Sequence, residues 1–435
     1  MESPSPRYRK HRQQAAVRRR RIALTIVALL ALGVVGGAMA FPRGDDPAPS
    51  AAITKIKQKK KQAPPVEKGT VSAKTTDAGV TVEAEQPVDG IWPDWKPTPQ
   101  AQRAIDTALA HGRPPQFVIA SFDGAADLRQ YQRWIGLGDE IGARFTFFVS
   151  GIYMLYPENK DLYQPPQASL GFSSLGGYAE LAGEKSPKEN LRDIYAQFAL
   201  AHAKGYEIGT HYVSHICEPS DQWSTEDWIS EQSQWESLIL NASENNHISP
   251  ALPVNFSRSD FHGGRTPCLM GNKANVFAML KQMGYVYDSS ETGPLTGWPQ
   301  KKQGIWSFPL QLIDRVGSPY PTLAMDFNFY INQSDAKQVD EASAREFEDL
   351  TYRSYLNAFN TVYAGNRAPF GIGTHFANWN RSAYTNALER TLRVACTKPE
   401  VACVTYITLV HWLEQQSPAQ RRQWEAGDFA KRSGG

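Results

Sequence analysis

Short apolar runs in this chain repeatedly end in a charged or imidazole side chain, and that recurrence constrains the fold more than anything else in the sequence. Asp123 follows FVIASF, His211 and His215 follow YEIGT, Arg265 lies in HGGRTP, Asp288 follows GYVY and His375 follows PFGIGT. Strands buried on both faces read as continuous apolar runs, and a parallel α/β barrel delivers the residues at their ends to one open rim. The pattern therefore predicts an α/β fold, a distorted (β/α) barrel, with these polar residues gathered at its mouth. Such a rim belongs to an enzyme or to a degenerate descendant of one.

The segments between the runs support alternation of strand and helix. Residues 101–111 read as a short amphipathic helix leading into a first strand at 117–122. A stripe of Tyr131, Trp134, Ile135, Leu137 and Ile141 marks a helix over 128–141, followed by a second strand at 144–149. The stretch 156–187 is irregular and Gly-rich, which predicts an insertion over the open face. A helix at 189–204 and a third strand at 206–210 follow, and the alternation runs to a strand at 404–407. Trp223, Trp228 and Trp235 recur at near-helical spacing, with Ser224 or Thr225 placed to cap that helix and Glu226 or Asp227 near its start. Packing into the outer core is the expected role of these indoles, and stacking on a sugar ring is the alternative.

With 435 residues, 41% of them hydrophobic, and a formal net charge of +2, the chain fits one large domain with appendages. That balance offers no ground for nucleic-acid binding. Positive charge is concentrated at Arg7, Arg9, Lys10, Arg12 and 18–21, directly before an uncharged stretch at 22–40. A helix of about 20 apolar residues spans a bilayer, and flanking basic residues stay in the cytoplasm. The expectation is a cytoplasmic leader over 1–21, a single-pass membrane anchor over 22–41 and an exported remainder. Ala38-Met39-Ala40 has the small-x-small form of a signal-peptidase site, so secretion after cleavage is the alternative. Residues 42–99, rich in Pro, Ala, Lys and Thr, cannot bury enough apolar surface to offset chain entropy and read as a disordered spacer. The main domain is expected over 100–416 and a polar tail over 417–435.

Four cysteines fit an exported domain, where disulfides persist. Cys396 and Cys403 bracket the short segment TKPEVA and are expected to pair. Cys217 lies just past His215 and Cys268 just past Arg265, so a bridge between them would staple two of the polar stations. A zinc cluster competes with this reading, but no C-x-x-C pair supports it.

Taken in order, the stations resemble the motifs of the polysaccharide deacetylase family, also called the NodB homology or carbohydrate esterase family four domain. Ser121-Phe122-Asp123-Gly124 stands where that family has T-F-D-D-G, and His211-Tyr212-Val213-Ser214-His215 matches its H-x-x-x-H. Arg265-Thr266-Pro267 matches R-x-P, Asp288 with Trp298 matches an Asp followed by a nearby Trp, and His375 matches the final His. The phrase GARFTFFVSG is similar to the family's second strand. The resemblance implies a deacetylase acting on an acetylated cell-envelope glycan such as peptidoglycan, with a divalent metal, usually zinc or another first-row ion, held by His211 and His215. It further implies that Asp123 is the base that takes water's proton, that Arg265 orients Asp123, and that His375 protonates the leaving amine or alkoxide. Asp288 would then tune His375, and Trp298 would line the acetyl pocket.

One departure bears on all of this. The family's second Asp, a metal ligand, is Gly124 here. In the unshifted register Asp123 is the base and the metal keeps two protein ligands; shifted by one, Asp123 is the ligand and the base is lost. Asp127 and Asp326 are the carboxylates that offer replacements, Asp326 because it ends another strand-like run. Each station also has a plain structural reading, as a packed histidine, a turn-favouring Asp before Gly, or an Arg in a structural ion pair. The expectation is a membrane-anchored, exported deacetylase-like hydrolase. The alternatives are a glycan-binding module that kept the fold and lost the metal, and a metal-independent esterase using Asp123 and His375. No Ser in a nucleophile-elbow context supports a triad.

Overall fold

Strand β1 (Gln116–Asp123) is buried along its whole length, as a run that is apolar on both faces requires. The computed structural model that contains it describes residues 92–175 and 187–430. The expected leader, membrane segment and nearly all of the spacer lie outside the described residues, as does part of the expected insertion, 176–186. Among the described residues no helix is long and apolar enough to cross a membrane.

The remaining strands in chain order are β2 (Thr146–Val149), β3 (Glu207–Thr210), β4 (Gly263–Gly264), β5 (Tyr287–Asp288), β6 (Thr292–Pro294) and β7 (Gln300–Lys302). They continue as β8 (Ile305–Ser307), β9 (Leu310–Ile313), β10 (Thr322–Leu323), β11 (Phe370–His375) and β12 (Val401–Cys403). The larger sheet has the order β11-β1-β2-β3-β4-β5-β8-β7, with β12 pairing the start of β1. Only the β7–β8 pair in it is antiparallel. Helices intervene between the strands from β1 to β5 and again from β10 to β12, whereas β5 to β10 follow one another directly, so the α/β class expected from the sequence holds.

The hydrogen-bonded path from β11 to β7 does not close on itself. Beside β11 lies a three-stranded sheet, β10-β9-β6, joined to it through a bridge between Met325 and Gly373. The Gln311 amide on β9 ties the two together, donating to Pro369 O at 2.7 Å and accepting from Gly371 N at 3.0 Å. Gly373 keeps this seam close, because a Cβ there would stand 2.8 Å from the Met325 methyl and 3.1 Å from Arg265 Nη1 and would push them aside.

The helix Leu128–Glu140 buries Tyr131, Trp134, Ile135 and Leu137, the expected stripe, and Asp127 caps it by accepting from Gln130 N. Ser224 and Asp227 form a capping box at the start of the helix Thr225–Leu240. Trp223, Trp228 and Trp235 are at most 1% exposed, so they serve the core and offer no face to a sugar. The last expected strand is corrected: β12 ends at Cys403, and Thr405 caps the helix Tyr406–Glu414 by accepting from Thr408 N. Apolar residues at 404–407 read as a strand because that helix is buried nearly all round, which hides its period. The segment read as a polar tail begins with the helix Pro418–Glu425, which stacks the buried Trp424 on Trp412 at 5.1 Å. Two disulfides, Cys217–Cys268 and Cys396–Cys403, account for all four cysteines.

Candidate active site

Parallel strands in register end together, and here their ends carry the polar stations. Asp123 closes β1 and His375 closes β11, directly opposite each other in the ladder. His211 follows β3, Arg265 follows β4, and Asp288 ends β5 beside Gly264. All of these ends lie at the carboxyl edge of the sheet, where α/β folds place their sites.

Asp123, 3% exposed, accepts from Arg265 Nη1 at 2.8 Å, and the guanidinium is itself fully buried. Arg265 is fixed on every side. Its Nε donates to Ser289 O at 2.9 Å, while its Nη2 meets Ser289 Oγ at 2.9 Å and the Tyr406 hydroxyl at 3.1 Å. Burial pushes the Asp123 carboxyl up, but Arg265, His211 and His375 outweigh burial and hold it below the ordinary carboxylate value. Asp123 is therefore an ionised, oriented acceptor. The pairing with Arg265 is the one expected for the unshifted register.

His375 has a partner that the sequence reading placed elsewhere. Asp326 Oδ1 lies 2.7 Å from His375 Nδ1, and Asp326 Oδ2 accepts from His375 N at 2.8 Å and Thr374 Oγ1 at 2.9 Å. Burial lowers the His375 pKa, yet Asp326 more than offsets this, so the imidazole titrates above its ordinary value. Asp288 instead accepts from Ser290 N at 2.9 Å and Ser290 Oγ at 2.6 Å, and burial raises its carboxyl against the pull of Lys273. The carboxylate on His375 is thus Asp326 rather than Asp288. The reason is topological: Asp326 follows the bridge that lays Met325 against β11.

His211 and His215 sit on a loop that makes two left-handed excursions, at Tyr212 (φ 58°) and His215 (φ 57°). Conformations of that kind need external anchors. Glu231, 1% exposed, provides one: its Oε1 accepts from Val213 N at 2.9 Å and its Oε2 from the Tyr163 hydroxyl at 2.7 Å, which also meets Ser214 Oγ at 2.8 Å. Burial pushes the Glu231 carboxyl up to about 7. The Cys217–Cys268 disulfide ties the same loop to the one that carries Arg265. Glu231 was missed in the sequence, although a charged residue three positions after Trp228 and four before Trp235 marks a carboxylate on a buried helix face.

The donor set fits part of a metal site. His211 Nδ1 lies 2.8 Å from Arg265 O, and its Nε2 is buried without a hydrogen-bond partner. An imidazole held through one nitrogen with the other free is how proteins orient a metal ligand. The His215 ring stands 5.2 Å from that of His211. Burial lowers both imidazoles, His215 to about 3, which keeps them neutral as ligation requires. Among the described residues, however, the one trio of His, Cys, Asp or Glu ligand atoms within 4.8 Å of one another is His215, Cys217 and Cys268. Its two sulfurs are joined in the disulfide and offer no thiolate. Asp326 is spent on Thr374 and His375, and Asp127 caps a helix. The residues present therefore suit two coordination positions of a divalent cation. Gly124, where the motif resemblance implies a third, has φ +77° and only Tyr153 Cε2, at 3.9 Å, near its missing Cβ.

Asp123, His211, His215 and His375 open into one cleft of about 410 Å³, which Asp127 and Trp379 also line. Trp298 is not among its walls. It is buried, donates to Asn366 O at 3.2 Å and stacks near Trp424. The indole beside the site is Trp379, 5.2 Å from the His375 ring.

No family model matches the chain. Chitin deacetylase 1 of Bombyx mori is 23% identical over 282 residues, covering 54% of this chain and 48% of that protein, so the chain spans about half the length of this curated relative. Among solved structures, a candidate polysaccharide deacetylase from Mycobacterium smegmatis is 16% identical with a TM-score of 0.40, over 74% of this chain and 94% of that one. A family-four carbohydrate esterase pseudoenzyme from Bacillus anthracis is 9% identical at a TM-score of 0.36, covering 68% and 66%. A family 4 carbohydrate esterase from Streptomyces lividans, in complex with acetate, is 12% identical at 0.29, covering 67% and 91%. An α/β sheet with an ionised carboxylate and a carboxylate-paired imidazole on neighbouring strand ends offers a proton acceptor and a proton donor to one cleft. The ordered motifs and the Bombyx mori match together make the chain similar to polysaccharide deacetylases of the NodB homology, or carbohydrate esterase family four, type.

Proposed function

We propose that the domain removes acetyl groups from an acetylated cell-envelope glycan, outside the cytoplasm and anchored by the apolar segment at 22–41. The observation that carries this reading is the pair of opposed dyads, Asp123 with Arg265 and His375 with Asp326, on adjacent strand ends facing one cleft. Asp123, held ionised, takes the proton of the attacking water, and Arg265 keeps its carboxylate from rotating away. His375, whose protonated form Asp326 favours, gives its proton to the departing nitrogen or oxygen. His211 and His215 are the residues that would hold a divalent cation of the zinc class. What such a cation supplies is polarisation of the acyl oxygen and a lowered pKa for bound water.

Acetate release from N-acetylchito-oligosaccharides by the purified protein tests the reading. Wild-type protein supplied with zinc should release acetate, and His375→Ala should lower the rate by about 10²–10⁴-fold, the usual contribution of a general acid. External protease should strip the activity from intact cells. An unchanged rate in His375→Ala would remove the proposed acid. The two-histidine ligand set favours a second reading, a glycan-binding module with an impaired site. Glycan binding with no acetate release at any zinc concentration would establish that reading instead.

A further inference from the structure

The cleft has an apolar face that acetyl removal alone does not use. It is built by the segment 323–331, across the end of β10 and the start of the helix Asp326–Ser334. Alternate residues share a face in extended chain and residues four apart share one in a helix, so Leu323 and Met325 are continued by Phe327 and Ile331. All four line the cleft. Leu323, Phe327 and Ile331 are only half-buried, whereas Ala324 and Phe329 in the same segment are fully buried. The sequence thus presents a row of hydrocarbon to the cleft.

Polar groups are scarce beside that row. Outside the dyads and the histidine pair, the polar side chains lining the cleft are Asp127, Thr266 and Asn328, with the Tyr153 hydroxyl and the Trp379 indole N–H at the ends of otherwise apolar rings. Asp127 is engaged in capping and Thr266 Oγ1 accepts from Lys273 Nζ at 3.2 Å. Sugar hydroxyls seated on the row would give up water and gain few partners, which is costly. The row also has a definite side. Phe327 lies 6.0 Å from the His375 ring, and Asp326 within the segment holds His375. His375 marks where the leaving group departs, so the apolar group belongs to the saccharide and not to the acyl chain.

We propose that the substrate is an acetylated saccharide carrying a hydrocarbon aglycone, and that the row from Leu323 to Ile331 binds this aglycone. The proposal rests on the deacetylase reading of the cleft and narrows it from a repeating polymer to an amphiphilic glycoside. Binding measured without turnover tests it. Octyl N-acetyl-β-D-glucosaminide below its micelle-forming concentration, the methyl glycoside and N-acetylchitotetraose are titrated into the protein by calorimetry.

The octyl glycoside should bind at least tenfold more tightly than the methyl glycoside. Leu323→Ser and Ile331→Ser should erase that preference while leaving methyl-glycoside affinity and the melting temperature near wild type. Equal affinity for the octyl and methyl glycosides would overturn the proposal, as would an octyl preference untouched by both substitutions. So would a tenfold gain for chitotetraose over the octyl glycoside. Acetate release without an octyl preference would sink this proposal and spare the catalytic reading. An octyl preference without acetate release would do the reverse.

Discussion

The two halves of the cleft are built to different standards. On the β1–β11 side each functional group is held by a hydrogen-bonding partner: Asp123 by Arg265, Arg265 by Ser289 and Tyr406, and His375 by Asp326 through both ring and backbone. On the β3 side two imidazoles share a strained loop, one keeps a buried nitrogen without a partner, and among the described residues no carboxylate groups with them as a third ligand. Proton transfer depends on geometry and pKa, both of which are set here by hydrogen bonds within the protein. Metal binding depends on ligand count, which Gly124, in place of the Asp that the resemblance leads one to expect, would reduce without disturbing the strand beneath it. On the proposed reading, the contrast separates the groups that would move protons from those that would hold a cation.

The firmest part of the first half should break hardest. Arg265→Leu would leave Asp123 buried and unpaired, at a cost of about 3–5 kcal/mol typical for a broken buried ion pair. Urea denaturation measures it, and a loss below about 1 kcal/mol, the range of an exposed pair, would show that Asp123 finds solvent or another cation. In the second half, Glu231→Ala would strand the Val213 N–H and the Tyr163 hydroxyl, costing about 1–3 kcal/mol. Glu231→Gln should recover part of this. Zinc affinity should fall further in Glu231→Ala than stability alone explains, because the loop that positions both histidines loses its anchor. An unchanged zinc affinity would make Glu231 purely structural.

A smaller effect tests the electrostatics of the acid. His375 titrates above its ordinary value, chiefly because Asp326 outweighs burial. A group with a raised folded-state pKa contributes stability that is fully present below the unfolded value and lost as pH rises through the folded one. Its acid form disappears over the same alkaline interval, so the rate should fall there. Asp326→Asn removes the opposing charge, and the alkaline limb of the pH–rate profile should move to lower pH. A limb that stays in place would mean that another group sets it.

How much of this was legible in the sequence follows from what each signal encodes. Apolar runs ending in Asp123, His211, Arg265, Asp288 and His375 gave the strand ends, because a buried strand leaves little freedom in composition. Pairing across strands was not legible. Asp326 drew attention as a strand-end carboxylate, but its attachment to His375 depends on the bridge between Met325 and Gly373, a contact between residues far apart in the chain. Trp298 illustrates the opposite error: an indole near Asp288 in sequence lies buried against Asn366 and Trp424, whereas Trp379 reaches the cleft. Glu231 was hidden because a carboxylate on a helix is ordinarily solvated, and only its place between Trp228 and Trp235 told otherwise.

The central claim is that the proton-handling half is complete while the metal half lacks one ligand at position 124. Isothermal titration with zinc on wild-type protein, Gly124→Asp and His211→Ala tests it most directly. Gly124 has φ +77°, where any side chain is strained, but Asp tolerates a left-handed backbone better than most residues and the space is open, so the substitution should fold at a cost of about 1–2 kcal/mol. The account predicts weak binding in wild type, at least tenfold tighter binding in Gly124→Asp, and none in His211→Ala. Tight wild-type binding that Gly124→Asp leaves unchanged would contradict it, because the third ligand would then already be present.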